Sequence, residues 1–371
     1  MRIIIFMAIF ATVFALLNFY IVKRFISKLD LSIKIKNFIK WFLFVNYLGI
    51  IGYLYTRYNP EIPSILYFLF SIPIGIVFLL FCTAIIYDLS RVSLNKMPLL
   101  EDRRKFFKNT LDIGSLAIGF MLSAKAMYEA RVIKIEDVNI KIKNLKKKYK
   151  IAQLSDVHIG GLVDKNYIKE VVNKVNKLKP DLVVITGDLI DIKVSKAKEA
   201  LIQLQNLDSK YGTYFIVGNH EYFHDIKEII EIMKALDINV LENENVYIGE
   251  ENKGFNLAGV YDVFGYRVDK YKPDIKKALD KKQEDSPTIL LAHQPRFIQE
   301  VKSGVDLMLS GHTHGGQLYP FRILVKIVQP YIEGLHKHNE DLQIYVNRGT
   351  GFWGPPMRLG SAPEITNITI S

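Results

Sequence analysis

Long apolar stretches dominate the first third of the chain, and short basic segments separate them. Residues 3–22, 38–56 and 65–87 are each long enough to cross a bilayer as a helix. The third stretch is uncharged, and Pro73 within it predicts a kink. A fourth, less apolar stretch covers residues 111–128. The pattern therefore predicts an all-helical transmembrane region over residues 1–128.

From residue 129 onward, short apolar runs alternate with segments of helical periodicity. Helical spacing recurs over residues 167–179, 196–207 and 226–236. Residues 138–142 alternate like a half-buried strand, and Asn144 is placed to turn that strand into a hairpin with the next one. Further runs of strand length begin at Ile151, Asp181, Tyr214, Thr288 and Val305. This alternation predicts an α/β layered domain over residues 129–371, with its site at the carboxyl ends of strands.

The basic residues predict how the first region is oriented. The chain carries 49 Lys and Arg against 38 Asp and Glu, a formal net charge of +11. No nucleic-acid-binding motif accompanies this charge, so no nucleic-acid partner is expected. The loop between the second and third stretches carries only Arg57, whereas the two flanking loops are strongly basic. The positive-inside rule therefore places both basic loops in the cytoplasm and the amino terminus outside.

The segment around Arg103-Arg104 predicts where the second region goes. Residues 102–108 resemble the twin-arginine export motif, and Ala124-Lys125-Ala126 resembles a signal peptidase site. The alternative is an ordinary fourth span, and both interpretations send residues 129–371 out of the cytoplasm. In a third interpretation, residues 111–128 do not cross and the domain stays inside. Asp112 and Lys125 favour that third interpretation.

Residues suited to metal binding follow five of the apolar runs. Five of the eight histidines lie in these strand-end loops, together with aspartate and asparagine. Carboxylate and amide oxygens combined with imidazoles suit Mn, Fe or Zn ions. Two ions are expected if one carboxylate bridges them. The single cysteine, Cys82, lies in an apolar stretch and excludes an intrachain disulfide. The motifs are Asp156-x-His158, Gly187-Asp188, Gly218-Asn219-His220-Glu221, Ala292-His293 and Gly311-His312-Thr313-His314.

This ordered set resembles the calcineurin-like metallophosphoesterase family, over about residues 149–371. The extended motif at 311–317, Asn347-Arg-Gly-Thr-Gly351 and Ala362-Pro-Glu364 are similar to its membrane-associated bacterial branch, whose members often carry twin-arginine signals. The resemblance implies a four-layer α/β/β/α sandwich, preceded here by the transmembrane region. It also implies a metal-dependent hydrolase with a dinuclear site.

The resemblance assigns a role to each motif residue by its position. Asp156, His158 and His314 would hold the first metal. Asn219, His293 and His312 would hold the second, and Asp188 would bridge both. His220 would be catalytic, stabilising charge on the substrate oxygens or protonating the leaving group, and Glu221 would orient a neighbouring ligand. Arg348 and Arg358 are candidate contacts for the substrate phosphate.

The function predicted from the sequence is hydrolysis of phosphomonoesters, phosphodiesters or pyrophosphates at a bacterial cell membrane, by a multi-pass protein. The substrate would be a phosphorylated small molecule or a lipid, including the UDP-2,3-diacylglucosamine type. The catalytic domain would lie on the extracytoplasmic side. Phe264, Tyr266, Phe352 and Trp353 are candidates for an apolar entrance. The alternative is a non-catalytic, metal-dependent membrane protein that binds or senses a partner.

Overall fold

Two compact units make up the chain. The computed structural model describes residues 2–57 and 62–371. The first unit is Met1–Glu129 together with Gly354–Leu359, and the second is Ala130–Trp353 together with Gly360–Ser371. The first unit thus consists of the amino-terminal part of the chain and one short segment, Gly354–Leu359, that is distant from it in the sequence.

The first unit contains four long helices, and all four are long and apolar enough to span a membrane. A π-helical turn and a 3₁₀ turn extend the first of them to Lys28. The third and fourth helices are longer than their apolar stretches. The third continues to Lys96, and the fourth begins at Glu101, where Glu, Arg and Lys residues have good helix propensity. The helices are α1 (Arg2–Tyr20), α2 (Ile33–Thr56), α3 (Ser64–Lys96) and α4 (Glu101–Glu129).

Hydrogen bonds and ion pairs satisfy two carboxylates of this unit, Asp112 and Asp88. Asp112 is 2% exposed in α4. Its carboxylate accepts a hydrogen bond from the Tyr87 hydroxyl at 2.8 Å and from the Asp30 amide at 2.7 Å. Arg24 donates to Asp88 at 2.5 Å. Because polar side chains among apolar helices must find such partners, Asp112 is compatible with a helix packed against its neighbours.

Segment Gly354–Leu359 packs with these helices. The Met357 side chain lies directly over Gly75 of α3, where a Cβ atom would overlap its sulfur. The Arg358 amide donates to the Ala126 carbonyl at 2.8 Å. Arg358 is fully buried. One of the two arginines predicted to contact substrate therefore lies in the first, helical unit and is not exposed.

Two six-stranded sheets form the second unit. Their orders are β1-β12-β2-β3-β4-β5 and β10-β11-β9-β8-β7-β6. The strands are β1 (Lys134–Ile140), β2 (Tyr149–Leu154), β3 (Leu182–Ile185), β4 (Thr213–Phe215), β5 (Ile238–Val240), β6 (Glu244–Ile248), β7 (Phe255–Gly259), β8 (Thr288–Leu291), β9 (Leu307–Ser310), β10 (Gly334–Lys337), β11 (Gln343–Val346) and β12 (Glu364–Ile370).

The predicted hairpin between the first two strands is wrong. The last strand, β12, lies between β1 and β2 and pairs in parallel with β1 and antiparallel with β2. Asn144 does adopt a left-handed conformation, with φ of 63°. The connection that contains it, residues 141–148, is long enough to pass over β12. Asn144 therefore does bend the chain, as its residue type predicts. The pairing of β1 and β2, however, is determined by β12, a segment more than 200 residues away.

Helices cover the outer faces of both sheets. The second unit contains α5 (Lys165–Leu178), α6 (Val194–Leu201), α7 (Ile226–Ala235), α8 (Phe264–Val268), α9 (Ile275–Ala278) and α10 (Arg322–Val328).

Three apolar clusters separate four layers. Ala152 and Leu154 of β2 face the cluster formed with α5, α6 and α7. Ile151 of the same strand faces the opposite way, into a cluster shared by both sheets. On the far side of the second sheet, Leu290 of β8 packs in the cluster that includes Ala278 of α9. Strand alternation thus produces the predicted α/β/β/α sandwich, and the fold prediction is confirmed.

Candidate metal centre

All five motifs lie at the carboxyl ends of strands. Strands β2, β3 and β4 are parallel neighbours in the first sheet, and β8 and β9 are parallel neighbours in the second. Parallel neighbours end at the same edge of a sheet, so the loops that follow them converge. The two sheets stack face to face through their shared apolar cluster, which brings the two sets of loops to one place.

A first cluster of donor atoms is formed by Asp156, His158 and His314. The Nε2 atoms of the two histidines are 2.9 Å apart. Asp156 Oδ1 lies 3.4 Å from His314 Nε2 and 4.0 Å from His158 Nε2. This buried oxygen accepts no hydrogen bond from the residues that the structure describes. Buried carboxylate oxygens are normally satisfied, so three converging lone pairs fit a cation.

Asp188, His293 and His312 form a second cluster. His293 Nε2 lies 3.2 Å from Asp188 Oδ2. The Asn219 side-chain oxygen lies 3.2 Å from the same nitrogen. Two oxygens and two imidazoles again form a mixed donor set of the kind that Mn, Fe and Zn accept.

Backbone hydrogen bonds hold the two clusters side by side. The Asp156 amide donates to the Gly187 carbonyl at 3.0 Å, and the His158 amide donates to the Asp188 carbonyl at 3.1 Å. Across the sheets, the His312 amide donates to Asp156 Oδ2 at 2.8 Å. A member of each cluster is therefore tied to a member of the other. The structure thus brings all seven predicted metal ligands together.

His220 lies at the rim of both clusters. Its ring centroid is 4.6 Å from that of His158, and its Nε2 is 3.8 Å from Asp188 Oδ2. Its backbone amide donates to Asp188 Oδ1 at 2.8 Å. The side chain retains 13% of its exposure, so solvent or a substrate can reach it.

Asp191 belongs to none of the five sequence motifs, yet it contacts histidines of two of them. Its Oδ1 accepts from His158 Nδ1 at 2.8 Å and from His220 Nδ1 at 2.6 Å. These two hydrogen bonds place the protons on Nδ1 and direct His158 Nε2, with its lone pair, into the first cluster. Asp191, His158 and His220 could also be grouped as a metal site. The short contacts to both Nδ1 atoms instead make Asp191 a hydrogen-bond anchor.

The pKa of Asp191 reflects that anchoring. Burial acts to raise this pKa, but the His158 and His220 imidazoles outweigh burial and hold it well below its usual range. Asp191 is therefore ionised and accepts from both rings. Only its position, three residues after Asp188 in the same loop, could have suggested it from the sequence.

Glu221 supports the ligand loops through their backbones. Its two carboxylate oxygens accept hydrogen bonds from the amides of Asp188, Leu189, Ile190 and Gly218. Burial, followed by the neighbouring Asp188 charge, raises the pKa of Glu221 to about 7. The predicted orienting role is thus exerted on two loops rather than on a single ligand side chain.

Several predicted ligands have unusual backbone angles. Asp156, His158, Asp188, His312 and His314 all have positive φ, between 50° and 72°. Non-glycine residues rarely adopt this region, and each instance costs free energy that the surrounding structure must offset. Gly218 has no side chain because a Cβ atom there would overlap the Asp188 carboxylate. Strain concentrated on the donor residues indicates a site shaped for function.

Charge within the second cluster is balanced by histidine. Burial acts to raise the pKa of Asp188, but His293 and then His220 outweigh it and lower that pKa. Burial acts to lower the pKa of His293, and Asp188 outweighs it and raises that pKa strongly. The His312 imidazole has its pKa lowered to about 3, by burial and then by His293. A cation could take the place of the proton that His293 holds beside the ionised Asp188.

The two predicted substrate arginines belong to different units. Arg348 donates through Nε to Glu364 and through Nη2 to Glu136, the latter at 2.6 Å. Arg358 belongs to the helical unit. Both remain predictions as phosphate contacts.

Aromatic side chains border His220. The Trp353 ring is 6.4 Å from the His220 ring, and the Phe223 ring is 5.5 Å from it on another side. Phe264, one of the predicted entrance residues, packs on Phe223 at 5.2 Å. Phe352 lies in the apolar core that lines the first sheet, and the Tyr266 hydroxyl donates to Glu300. The structure thus places two of the four predicted entrance residues near His220.

Comparison with known proteins agrees with the fold. The family model for calcineurin-like phosphoesterases matches residues 149–316. The chain belongs to this family. A Helicobacter pylori protein described as an uncharacterized metallophosphoesterase is 39% identical over 333 residues, covering 89% of this chain and 88% of that protein.

Two further relatives differ in how much of the chain they match. A Campylobacter jejuni protein, also described as an uncharacterized metallophosphoesterase, is 33% identical and covers 99% of this chain and 98% of its own length. A Bos taurus protein described as a transmembrane protein with metallophosphoesterase domain is 39% identical over 233 residues, which cover 60% of this chain and 52% of that protein.

Proposed function

We propose that this chain is a membrane-anchored phosphoesterase that uses two divalent metal ions to hydrolyse phosphomonoesters, phosphodiesters or pyrophosphates. The observation that carries the proposal is the pair of adjacent buried clusters with His220 at their shared rim. Mn, Fe and Zn are the ions whose ligand preferences match these donors.

Each donor has a place in this proposal. Asp156, His158 and His314 hold one ion, and Asn219, His293 and His312 hold the other. Asp188 would contribute its carboxylate to the second cluster, and its backbone carbonyl accepts from the His158 amide of the first. We therefore assign it the position between the two ions. When bound, such ions lower the pKa of water and neutralise charge on phosphate oxygens.

His220 acts on the substrate. It is partly exposed and borders both clusters, so a phosphate group in contact with them would lie within its reach. Asp191 holds its Nδ1 at 2.6 Å and so keeps the proton there while Nε2 faces the cluster side. Asp191 would also stabilise a protonated His220, which then donates a proton to the leaving group or stabilises charge on the substrate oxygens.

We propose more specifically that the substrate is linked to a lipid. Four helices that are able to span a membrane precede the phosphoesterase domain in the same chain. Trp353 and Phe223 provide apolar surface beside His220. An amphiphilic substrate such as UDP-2,3-diacylglucosamine presents a phosphorylated headgroup next to apolar chains, which suits this combination. Arg348 and Arg358 remain candidate phosphate contacts.

A direct assay separates an enzyme from a metal-dependent binding or sensing protein. The purified full chain is incubated with Mn and with a nitrophenyl phosphate, a bis-nitrophenyl phosphate and a lipid pyrophosphate. We expect hydrolysis that is lost after chelation and restored by the ion, and a matched loss in Asp156→Asn. A protein that retains two ions and cleaves none of these compounds would contradict the proposal.

We further propose that the domain is extracytoplasmic. Basic residues are concentrated before the second helix and after the third, which places both of these loops in the cytoplasm. The fourth helix then carries the domain to the other side of the membrane. Alkaline phosphatase fused after Ser371 should be active, and a cytoplasmic fluorescent reporter fused there should be dark. The reverse pattern would contradict this orientation. Changing Arg103 and Arg104 to lysine tests the export route separately, since unchanged export would remove the twin-arginine prediction alone.

A further inference from the structure

An apolar surface segment follows the metal-binding loop of the second sheet. It consists of Tyr319, Phe321, Ile323, Leu324, Ile327 and Val328, which we call the apolar ridge. Ile327 is 76% exposed and Val328 is 69% exposed. None of the seven residues of α10 is buried. Contiguous apolar surface of this kind is rare on soluble domains unless it binds something.

The ridge is fixed to the metal centre. It begins five residues after His314. Gly316 lies against the Arg322 backbone so closely that a Cβ atom there would overlap it. The Arg322 guanidinium pairs with Glu333 at 2.5 Å. Anything that holds the ridge therefore also positions the loop that carries His312 and His314.

We propose that the apolar ridge dips into the surface of the lipid bilayer that the chain's own helices span. Ile323, Leu324, Ile327 and Val328 follow the spacing i, i+1, i+4 and i+5, which places them on one face of α10, and no residue of this helix is buried. A helix at a membrane interface buries such an apolar face in the lipid, while its polar side chains remain in water. Aromatic residues at the start of the ridge, Tyr319 and Phe321, and the exposed Lys326 are typical of segments at a membrane interface.

Chain connectivity supports a lipid occupant. Only residues 130–133 separate the end of α4 from the start of β1. A bilayer spanned by α4 is therefore the apolar phase most readily available to this domain. Interfacial helices bury their apolar side chains to the level of the headgroup and acyl-chain boundary. Insertion of the ridge would hold the mouth of the metal centre at the headgroup level.

The test places an environment-sensitive dye on the ridge of the full chain in vesicles of phosphatidylcholine and phosphatidylglycerol. Cys82, the only cysteine, is first replaced by alanine. Ile327→Cys is then labelled with the dye NBD. The matched control is Ser303→Cys. Ser303 is exposed and precedes β9, whereas the ridge lies beyond the carboxyl end of the same strand, so the two positions are at opposite ends of β9.

Lipids with brominated acyl chains report contact with the bilayer. We expect the dye at position 327 to emit at shorter wavelength and to be quenched several-fold more than the dye at position 303. Equal, water-like emission at both positions would overturn the proposal. So would efficient cross-linking of the Ile327→Cys protein to a second copy without quenching by lipid, because the ridge would then be a subunit interface. A ridge dye that is blue-shifted but insensitive to bromolipid would identify a protein partner and would also overturn it.

Discussion

The two donor clusters differ in what holds their imidazoles. In the first cluster, the carboxylate of Asp191 anchors His158 through Nδ1. In the second, the backbone carbonyl of Thr186 lies 2.8 Å from Nδ1 of His293. Both arrangements leave Nε2 for the cluster, but only the carboxylate carries charge and only the carboxylate can be removed by mutation. A mutation can therefore change the anchor of His158 in the first cluster, whereas the anchor of His293 in the second is part of the backbone after β3.

This difference also links the first cluster to His220. Asp191 accepts from His158 and His220 with the same oxygen, so the ligand and the predicted catalytic group share one anchor. Asp188 makes a second connection, because His220 donates its amide to the Asp188 carboxylate. Mutations at these residues can therefore show whether the two clusters and His220 act as separate parts or as one unit.

The largest effect is expected for Asp188→Asn, because Asp188 is the proposed bridge between the two ions. A neutral amide bridges two cations poorly, so hydrolysis should fall to background and the bound metal should decrease at both clusters. Metal content by elemental analysis and kcat are the measurements. Near-normal turnover with two bound ions would remove the bridging role and the dinuclear assignment with it.

His220→Ala should have the next largest effect, and it separates catalysis from metal binding. The variant should keep both ions and its fold but lose kcat by roughly 10²–10⁴-fold. The loss should be smaller for a nitrophenyl ester, whose leaving group needs little protonation. His312→Ala is the comparison and should lose metal affinity as well as rate. A His220→Ala protein that has lost an ion would make His220 a ligand.

Asp191→Asn should weaken the first cluster and spare the second. An asparagine can still meet one ring but carries no charge, so the affinity of one ion should fall by about 10–100-fold. Metal titration followed by elemental analysis would show one weakened site. The matched control is Asp262→Asn, since that buried carboxylate accepts from Gln294 and the Phe264 amide instead of from a ligand imidazole. Equal weakening of both sites would mean that the clusters are not independently anchored.

The smallest effect on catalysis is expected for Arg348→Lys. A lysine cannot reproduce the paired donation to Glu364 and Glu136, and Glu364 is 1% exposed. Unfolding free energy should fall by about 1–3 kcal/mol, measured by denaturant titration of the metal-loaded protein. KM separates the two possible roles of the arginine. An increased KM with unchanged stability would establish a phosphate contact, whereas lost stability with unchanged KM would establish an ion pair that supports β12.

The motifs could be located from the sequence because their chemistry is local. Each donor follows an apolar run of strand length, and parallel strands bring such ends together whatever the details of the helices. The same reasoning could not reveal Asp191, because its significance depends on two imidazoles 33 and 29 residues away. Arg348 and Arg358 show the same limit, because a cationic side chain is compatible with a phosphate, an ion pair or a buried position.

The sequence by itself predicted an α/β layered domain, the membrane-type helices and the candidate metal donors, and the family resemblance added the order of the four layers. Hydrophobic periodicity and residue chemistry act over a few positions, so they can be read along the chain. Only the tertiary structure decided that β12 separates β1 from β2, that Gly354–Leu359 packs with the helical unit, and that Asp191 joins His158 to His220. Each of these features depends on which distant segment satisfies free backbone hydrogen-bonding groups and covers exposed apolar side chains. That choice depends on all segments of the folded chain at once.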